Sequence, residues 1–277
     1  TTPASLPIRL VEKRTRLESL IREMKSVVVA FSGGVDSALV LAAAHSLLGS
    51  KVVAVTAQSE SLPARELRAA KRLAQEIGAE HLVIQTREME TGEYKENSVR
   101  RCYYCKSELY ARLRAIAGER NFMSIVNGLN ADDMKDYRPG IAAAKEAGVL
   151  SPLRDAGFNK EDVRALSRQL GLAVWEKPAA ACLASRVPYG EPITPEKLSM
   201  VEKAEDFLIS LGFSQLRVRH HGDVARVELL KEEMTRFFDG GLPALVQKRF
   251  QEIGFKYVAL DIEGYRSGSL NETLSKE

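Results

Sequence analysis

Apolar residues in this chain fall into short continuous runs separated by longer stretches of helical spacing. Val27-Val28-Val29 is unbroken, as a strand buried on both faces requires. Ala38-Leu39-Val40-Leu41-Ala42-Ala43-Ala44 follows, rich in good helix formers. Val52-Val53-Ala54-Val55-Thr56-Ala57 predicts a second strand. Residues 64–77 put Leu67, Ala70, Leu73, Ala74 and Ile77 on one helical face, and Gly78 stops that helix. His81-Leu82-Val83-Ile84 predicts a third strand and residues 109–117 a helix. Met123-Ser124-Ile125-Val126 predicts a fourth strand, ending at Asn127-Gly128. Such alternation predicts the α/β class with a doubly wound parallel sheet, in which ligands bind beyond the carboxyl ends of strands.

The pattern changes at Pro188-Tyr189-Gly190-Glu191-Pro192-Ile193-Thr194-Pro195, a Pro/Gly-rich break that predicts a domain boundary. The expectation is a larger domain over 1–190 and a smaller C-terminal α+β domain over 191–277. In the latter, helices are predicted at 196–211 and 242–253, paired strands at 215–220 and 225–229, and a last strand at 256–262. The polar tail from Ser267 onward is expected to fray.

Charge and cysteine content narrow the function. Forty basic and 37 acidic residues leave a net charge of +3 over 277 residues. That balance carries no polyanion signal, so a nucleic-acid partner is not expected. No uninterrupted apolar stretch of about 18 residues appears, so no membrane span is expected. Three cysteines, with no charged-then-apolar leader in view, predict a reducing, cytoplasmic setting in which thiols bind metal or react.

Candidate chemistry sits where strands hand over to helices. Ala30-Phe31-Ser32-Gly33-Gly34-Val35-Asp36-Ser37 joins the first strand to its helix. Unpaired helix N–H groups and the positive dipole end make such a turn an anion site. Gly33 and Gly34 open room for a phosphate, and Ser32 and Ser37 add hydroxyl donors. It is not a Walker A loop, because no Gly-Lys-Ser/Thr follows. After the fourth strand, Gly128-Leu129-Asn130-Ala131-Asp132-Asp133 is an Asx-type turn or a second piece of the same site. Asp36 is a candidate Mg²⁺ ligand, and a carboxylate of the second turn is another.

The thiols leave three readings open. Cys102 and Cys105, in Arg101-Cys102-Tyr103-Tyr104-Cys105-Lys106, can form half a thiolate metal site, a redox pair or two packed thiols. Zinc wants four ligands, and none of His45, His81, His220 and His221 has the spacing of a fourth. With Cys182, three thiolates suit three irons of a [4Fe–4S] cluster, although four cysteines are usual. Cys182 is flanked by small residues and Arg186, so it is either a reactive thiolate or a buried free cysteine. Arg217 and Arg219 alternate on a predicted strand and share one face, an anion site or a solvated surface.

The Ser32–Ser37 string resembles the SGGxDS loop of the PP-loop ATP pyrophosphatases, and Gly128–Asp133 resembles the GxNxxD element of their sulfur-inserting members. Asp136-Tyr137-Arg138-Pro139-Gly140, Asp162-Val163-Arg164-Ala165-Leu166, Cys182 with Ser185-Arg186, Arg217-Val218-Arg219 and Tyr265-Arg266-Ser267-Gly268 extend the resemblance over nearly the whole chain. They resemble one branch, the ATP-dependent sulfur transferases that make the nickel-pincer cofactor of lactate racemase. The resemblance implies ATP and Mg²⁺ as cofactors, with ATP held by Ala30, Phe31, Ser32, Gly33, Gly34, Asp36, Ser37, Ala57, Gly128 and Asp132. It implies a small-molecule partner, pyridinium-3,5-biscarboxylic acid mononucleotide, bound by Ser185, Arg186, Arg217, Arg219 and Arg138. A ring carboxylate is adenylylated and then converted to a thiocarboxylate, with Cys182, Cys102, Cys105 and Lys106 carrying the chemistry. First-studied members have one cysteine, at the position of Cys182, and surrender its sulfur. The added Cys102 and Cys105 point to the type in which a [4Fe–4S] cluster supplies sulfide. Homo-oligomers are also implied. The competing reading is a tRNA thiolase of the same superfamily, or sacrificial donation from Cys182 without a cluster.

Overall fold

The computed structural model describes residues 7–135, 139–178, 181–266 and 268–273. The chain divides into two compact units, Thr1–Glu88 with Arg100–Ala180, and Met89–Val99 with Ala181–Glu277.

The first unit is built on β1 (Val27–Ala30), β2 (Val52–Gln58), β3 (Glu80–Gln85) and β4 (Ser124–Val126), all parallel in the order β3-β2-β1-β4. Its helices are α1 (Ile8–Met24), α2 (Val35–Leu48) and α3 (Ala64–Ile77), then, past the short α4 (Gly92–Lys95) of the second unit, α5 (Arg101–Glu119), α6 (Pro139–Glu146), α7 (Pro152–Asp155) and α8 (Lys160–Gln169). Successive residues of β1 enter different cores. Val27 and Val29 pack with Leu17, Leu39, Leu73 and Leu166, whereas Val28 packs with Leu109, Leu113 and Ala143. That two-sided burial is why the strand reads as an unbroken apolar run and why the sheet is doubly wound, as expected.

The second unit holds β5 (Leu216–His221) and β6 (Val224–Leu229), an antiparallel pair with Leu216 opposite Leu229. β7 (Tyr257–Leu260) runs parallel to β6 on its other side. The helices α9 (Pro195–Ser210), α10 (Lys231–Met234) and α11 (Leu242–Ile253) complete the unit. Leu208, Phe213, Val218, Val227, Val246 and Phe250 form its core. Thr194 caps α9 by accepting from the Lys197 N–H, and Pro195 occupies the first turn, where no N–H is needed.

The 89–99 stretch joins this unit through Asn97, buried at φ 55, whose side-chain amide reaches the carbonyls of Val187, Pro188 and Glu191. The Pro/Gly-rich segment 188–195 thus lies inside the second unit.

Two local expectations change. The helix expected over 109–117 begins at Arg101, because Cys-Tyr-Tyr-Cys-Lys continues it without continuing its apolar spacing. Of the tail expected to fray, Ser269–Thr273 instead forms a 3-10 turn with Ser269 buried, and Ser267 and residues 274–277 lie outside the described residues. The Ser269 hydroxyl accepts from Arg219 Nη2 at 2.6 Å, which supplies the tertiary partner that a polar tail lacks on paper. Among the described residues no helix is long and apolar enough to cross a membrane.

Candidate active site

The Ser32–Ser37 turn connects the carboxyl end of β1 to the first turn of α2, with Gly34 as N-cap. Gly33 sits at φ 71, and a Cβ there would lie 2.9 Å from the Ala70 Cβ on α3. Both facts demand glycine. The hydroxyls brace the loop internally. Ser37 Oγ donates to the Gly34 carbonyl (3.0 Å) and accepts from the Ser32 N–H (3.3 Å). Its single proton being used, the 3.2 Å contact with Ser32 Oγ has Ser32 as donor. The first-turn N–H groups of α2 thus open at a strand end inside a preformed glycine cradle, the geometry that takes a phosphate.

The second turn packs directly on this one. A Cβ at Gly128 would stand 2.6 Å from the Ser37 nitrogen, so what that glycine admits is the first turn of α2 itself. Asn130 Nδ2 donates to Asp36 Oδ1 at 3.0 Å. Asn130 Oδ1 accepts from the N–H groups of Asp132 (2.9 Å) and Asp133 (3.3 Å), which closes the expected Asx turn. Lys160, the first residue of α8, donates from Nζ to Asp36 Oδ2 and from its backbone N–H to Asp132 Oδ2. Asp36 and Asp132 therefore converge on one lysine. Mg²⁺ in nucleotide sites takes one or two carboxylates and draws its other ligands from phosphates and water, so this pair fits the protein's share.

Lys177 approaches the cradle from another side. Its Nζ lies 3.4 Å from the Gly33 carbonyl and 2.7 Å from Glu66 Oε2. Arg164 holds the preceding turn by donating to the carbonyls of Trp175 and Lys177. Sequence reasoning missed Lys160 and Lys177. The chain has 40 basic residues, and a lysine beside a helix cap reads as an ordinary solvated one. Ala30 and Ala57 end and nearly end β1 and β2 as expected, and Phe31 is buried.

Cys102 and Cys105 lie one turn apart at the start of α5, a spacing that puts both on one side of the helix. Lys106 follows them, and Gly140 of α6 presses on its stem, since a Cβ there would meet Lys106 Cγ at 2.9 Å. Cys102 is exposed and Cys105 partly so. Cys182 is also exposed, at the N-cap of the 3-10 turn Leu183–Arg186. The first pair belongs to one unit and Cys182 to the other, so neither unit supplies three thiols. Among the described residues no group of three His, Cys, Asp or Glu side chains forms a metal-holding cluster. The donor chemistry of Cys102 and Cys105 fits two corners of an iron–sulfur site and no more. Arg138 lies outside the described residues.

The arginines of the second unit are set among carboxylates. Arg186, 1% exposed, donates from Nε and Nη2 to Glu205 (2.8 and 3.1 Å). Its Nη1 reaches the carbonyls of Ala181 and Cys182 and the Ser185 hydroxyl. The guanidinium thus fixes the backbone under Cys182 and is neutralised by Glu205, not by the thiol. Arg219, 6% exposed, makes the same two-pronged pair with Glu228 and donates to the Ser185 carbonyl at 2.7 Å. Arg217, half-buried, lies over the Tyr265 ring. Burial first, then the nearby charge of Arg186, pulls its guanidinium below the usual arginine range. Arg217 Nη1 donates to the Leu216 carbonyl at 2.7 Å and its Nη2 to the Tyr265 hydroxyl at 3.4 Å. Arg217 and Arg219 follow the expected alternation along β5, Arg219 buried and Arg217 half-buried.

A sequence model described as NAD synthase matches residues 14–188, which contain the cradle, both lysines and all three cysteines. An uncharacterised protein of Synechocystis sp. is 47% identical over 268 residues, 96% of this chain and 100% of its own length. The pyridinium-3,5-bisthiocarboxylic acid mononucleotide synthase of Lactiplantibacillus plantarum is 40% identical over 268 residues, 96% of each chain. An uncharacterised protein of Methanocaldococcus jannaschii is 26% identical over 259 residues, 94% of this chain and 98% of its own length. A nucleotide cradle built on a parallel sheet, and a near full-length match to that synthase, place this chain in the NAD synthase family of PP-loop ATP pyrophosphatases, in the same branch as the pyridinium-3,5-bisthiocarboxylic acid mononucleotide synthase.

Proposed function

We propose that this protein is an ATP-dependent sulfur transferase that converts a carboxylate of pyridinium-3,5-biscarboxylic acid mononucleotide to a thiocarboxylate. The observation that carries the reading is the Ser32–Ser37 cradle, preformed at the end of β1 in a chain 40% identical to a pyridinium-3,5-bisthiocarboxylic acid mononucleotide synthase.

A carboxylate resists substitution because its leaving group is poor. In the first step a substrate carboxylate oxygen bonds to the α-phosphorus of ATP, and the bond to the β-phosphate oxygen breaks. The α2 N-terminus and the cradle N–H groups stabilise the departing pyrophosphate. Lys160 and Lys177 add positive charge there, and Asp36 with Asp132 would hold Mg²⁺, which offsets phosphate charge when bound. In the second step sulfur bonds to the acyl carbon and AMP leaves, with Lys106 neutralising charge at the α-phosphate. Arg217, held on β5 over the Tyr265 ring, binds the substrate phosphate. Ser185, Arg186 and Arg219 shape that subsite. Cys182, whose carbonyl accepts from Ser185 Oγ and Arg186 Nη1, is either a ligand of the sulfide-supplying cluster or, without a cluster, the donor whose Cβ–S bond breaks to leave dehydroalanine.

Cys102, Cys105 and Cys182 would hold a [4Fe–4S] cluster, which when bound supplies sulfide for more than one turnover. Anaerobic purification followed by iron and labile-sulfide assay, with mass spectrometry after a single turnover, tests this. About three to four irons per chain and an unchanged Cys182 support the cluster. Iron-free active protein that loses about 34 Da at Cys182 supports sacrifice of its thiolate sulfur. Absence of AMP and pyrophosphate in the presence of ATP and the mononucleotide overturns the whole reading. The protein acts in the cytoplasm, and we expect it to assemble as a homo-oligomer.

A further inference from the structure

The peptide joining Phe31 to Ser32 is the first unit of the nucleotide cradle, and it is held at both ends. Its N–H donates to Ser37 Oγ at 3.3 Å. Its carbonyl accepts from the Thr56 hydroxyl at 2.7 Å. Thr56 belongs to β2, outside the loop, and is 2% exposed. The same Oγ1 lies 2.7 Å from His81 Nε2 on β3. A threonine hydroxyl has one proton, and the Phe31 carbonyl can only accept. The proton therefore points to Phe31, and His81 donates from Nε2–H to Thr56. The His81 ring also stands edge-on to the Phe31 ring, at 5.6 Å between centroids and 88° between planes. A relay thus runs across three adjacent strands, from His81 through Thr56 to the backbone at the mouth of the loop.

We propose that Thr56 and His81 are positioning residues for the β- and γ-phosphates, acting only through the orientation of the Phe31–Ser32 peptide. This rests on the nucleotide reading given above. A strand end leaves its last carbonyl without a ladder partner, and that peptide can rotate unless something fixes it. Rotation would swing the Ser32 N–H off Ser37 and loosen the hydroxyl brace of the cradle. The relay supplies the restraint from two strands that are themselves locked in the sheet. Neither side chain is required to touch the nucleotide.

The test compares Thr56→Val, Thr56→Ser, His81→Phe and His81→Gln with the parent protein. Calorimetric titration with ATP, pyrophosphate and AMP, and steady-state pyrophosphate release, are the readouts. AMP lacks the phosphates that the cradle holds, so a role through the loop separates it from the other two. Thr56→Val and His81→Phe are expected to weaken ATP and pyrophosphate about tenfold, the worth of one buried hydrogen bond, with AMP unchanged. They raise KM for ATP more than they lower kcat. Thr56→Ser restores most of the affinity, and His81→Gln, which keeps a donor, falls between. Equal losses for AMP and pyrophosphate would make both residues general packing groups and overturn the proposal, as would unchanged pyrophosphate affinity in Thr56→Val. Parent protein that binds neither ATP nor pyrophosphate overturns the nucleotide reading itself. If Thr56→Val does not fold, His81→Phe at its half-buried site carries the same comparison.

Discussion

The nucleotide cradle and the arginine cluster beneath Cys182 are both candidate anion sites, but they are built from different parts. In the cradle the groups that face a ligand are backbone N–H groups, presented by Gly33, Gly34 and the first turn of α2. In the cluster they are guanidiniums, and those of Arg186 and Arg219 are already held by buried carboxylates. A backbone site is specified by local chain geometry, so a short motif identifies it. A side-chain site depends on what distant residues bring to the same place. Glu205 on α9 and Glu228 on β6 hold Arg186 and Arg219, whereas Arg217 donates to the Leu216 carbonyl and the Tyr265 hydroxyl.

The largest expected effect breaks the backbone side of this contrast. Gly33→Ala forces a Cβ into Ala70 at a left-handed backbone position. ATP-dependent pyrophosphate release should fall by about 100-fold or more, the scale of losing oriented donors at a developing charge. Near-normal turnover would mean that the loop is not the phosphate site. Glu205→Leu attacks the other side. It strands the Arg186 guanidinium without its carboxylate, and about 3–5 kcal/mol of stability should be lost, measured by chemical denaturation. The double variant Glu205→Leu with Arg186→Met should recover most of it, because replacing both partners removes the unpaired charge.

Arg217→Gln sharpens the comparison. It should leave the melting temperature nearly unchanged but weaken a probe such as nicotinic acid mononucleotide about tenfold in calorimetric titration. A stability loss like that of Glu205→Leu, with no change in binding, would make all three arginines structural.

The smallest expected effect is on pH dependence. Burial, then the charge of Lys197, lowers the pKa of His220 below its ordinary 6.5, and burial followed by Arg226 does the same to His221. Both histidines therefore resist a proton that the unfolded chain accepts. Their contribution to stability is complete above about pH 6.5 and is lost as pH falls below it toward the lowered folded values. Denaturation midpoints should decline over that range, and His220→Gln should flatten the slope. A midpoint that rises on acidification contradicts the assignment.

Much of the nucleotide side was legible in the chain. Residues 64–77 form the helix at the boundaries read from leucine and alanine spacing, and β1 to β4 fall within about one residue of the runs that marked them. The start of α5 was not legible, because the Cys-Tyr-Tyr-Cys turn continues the helix without continuing its apolar stripe. The α9 and α11 helices and all three strands of the second unit were readable for the same periodic reason. What Arg186 and Arg219 touch was not, since an arginine on a strand or turn has the same local signature whether it meets solvent, substrate or a glutamate.

The chain by itself determined the parallel sheet, the glycine turn at the end of β1 and the family of chemistry that such a turn serves. These follow from side-chain periodicity and from backbone conformations that only glycine reaches without strain. Folding in three dimensions decided which polar groups are already satisfied. It gave Asp36 to Asn130 and Lys160, the Phe31 carbonyl to Thr56, Glu205 to Arg186 and Glu228 to Arg219. Hydrogen bonds and ion pairs between residues far apart in sequence leave no periodic trace, because their partners are set by how elements pack and not by their spacing along the chain.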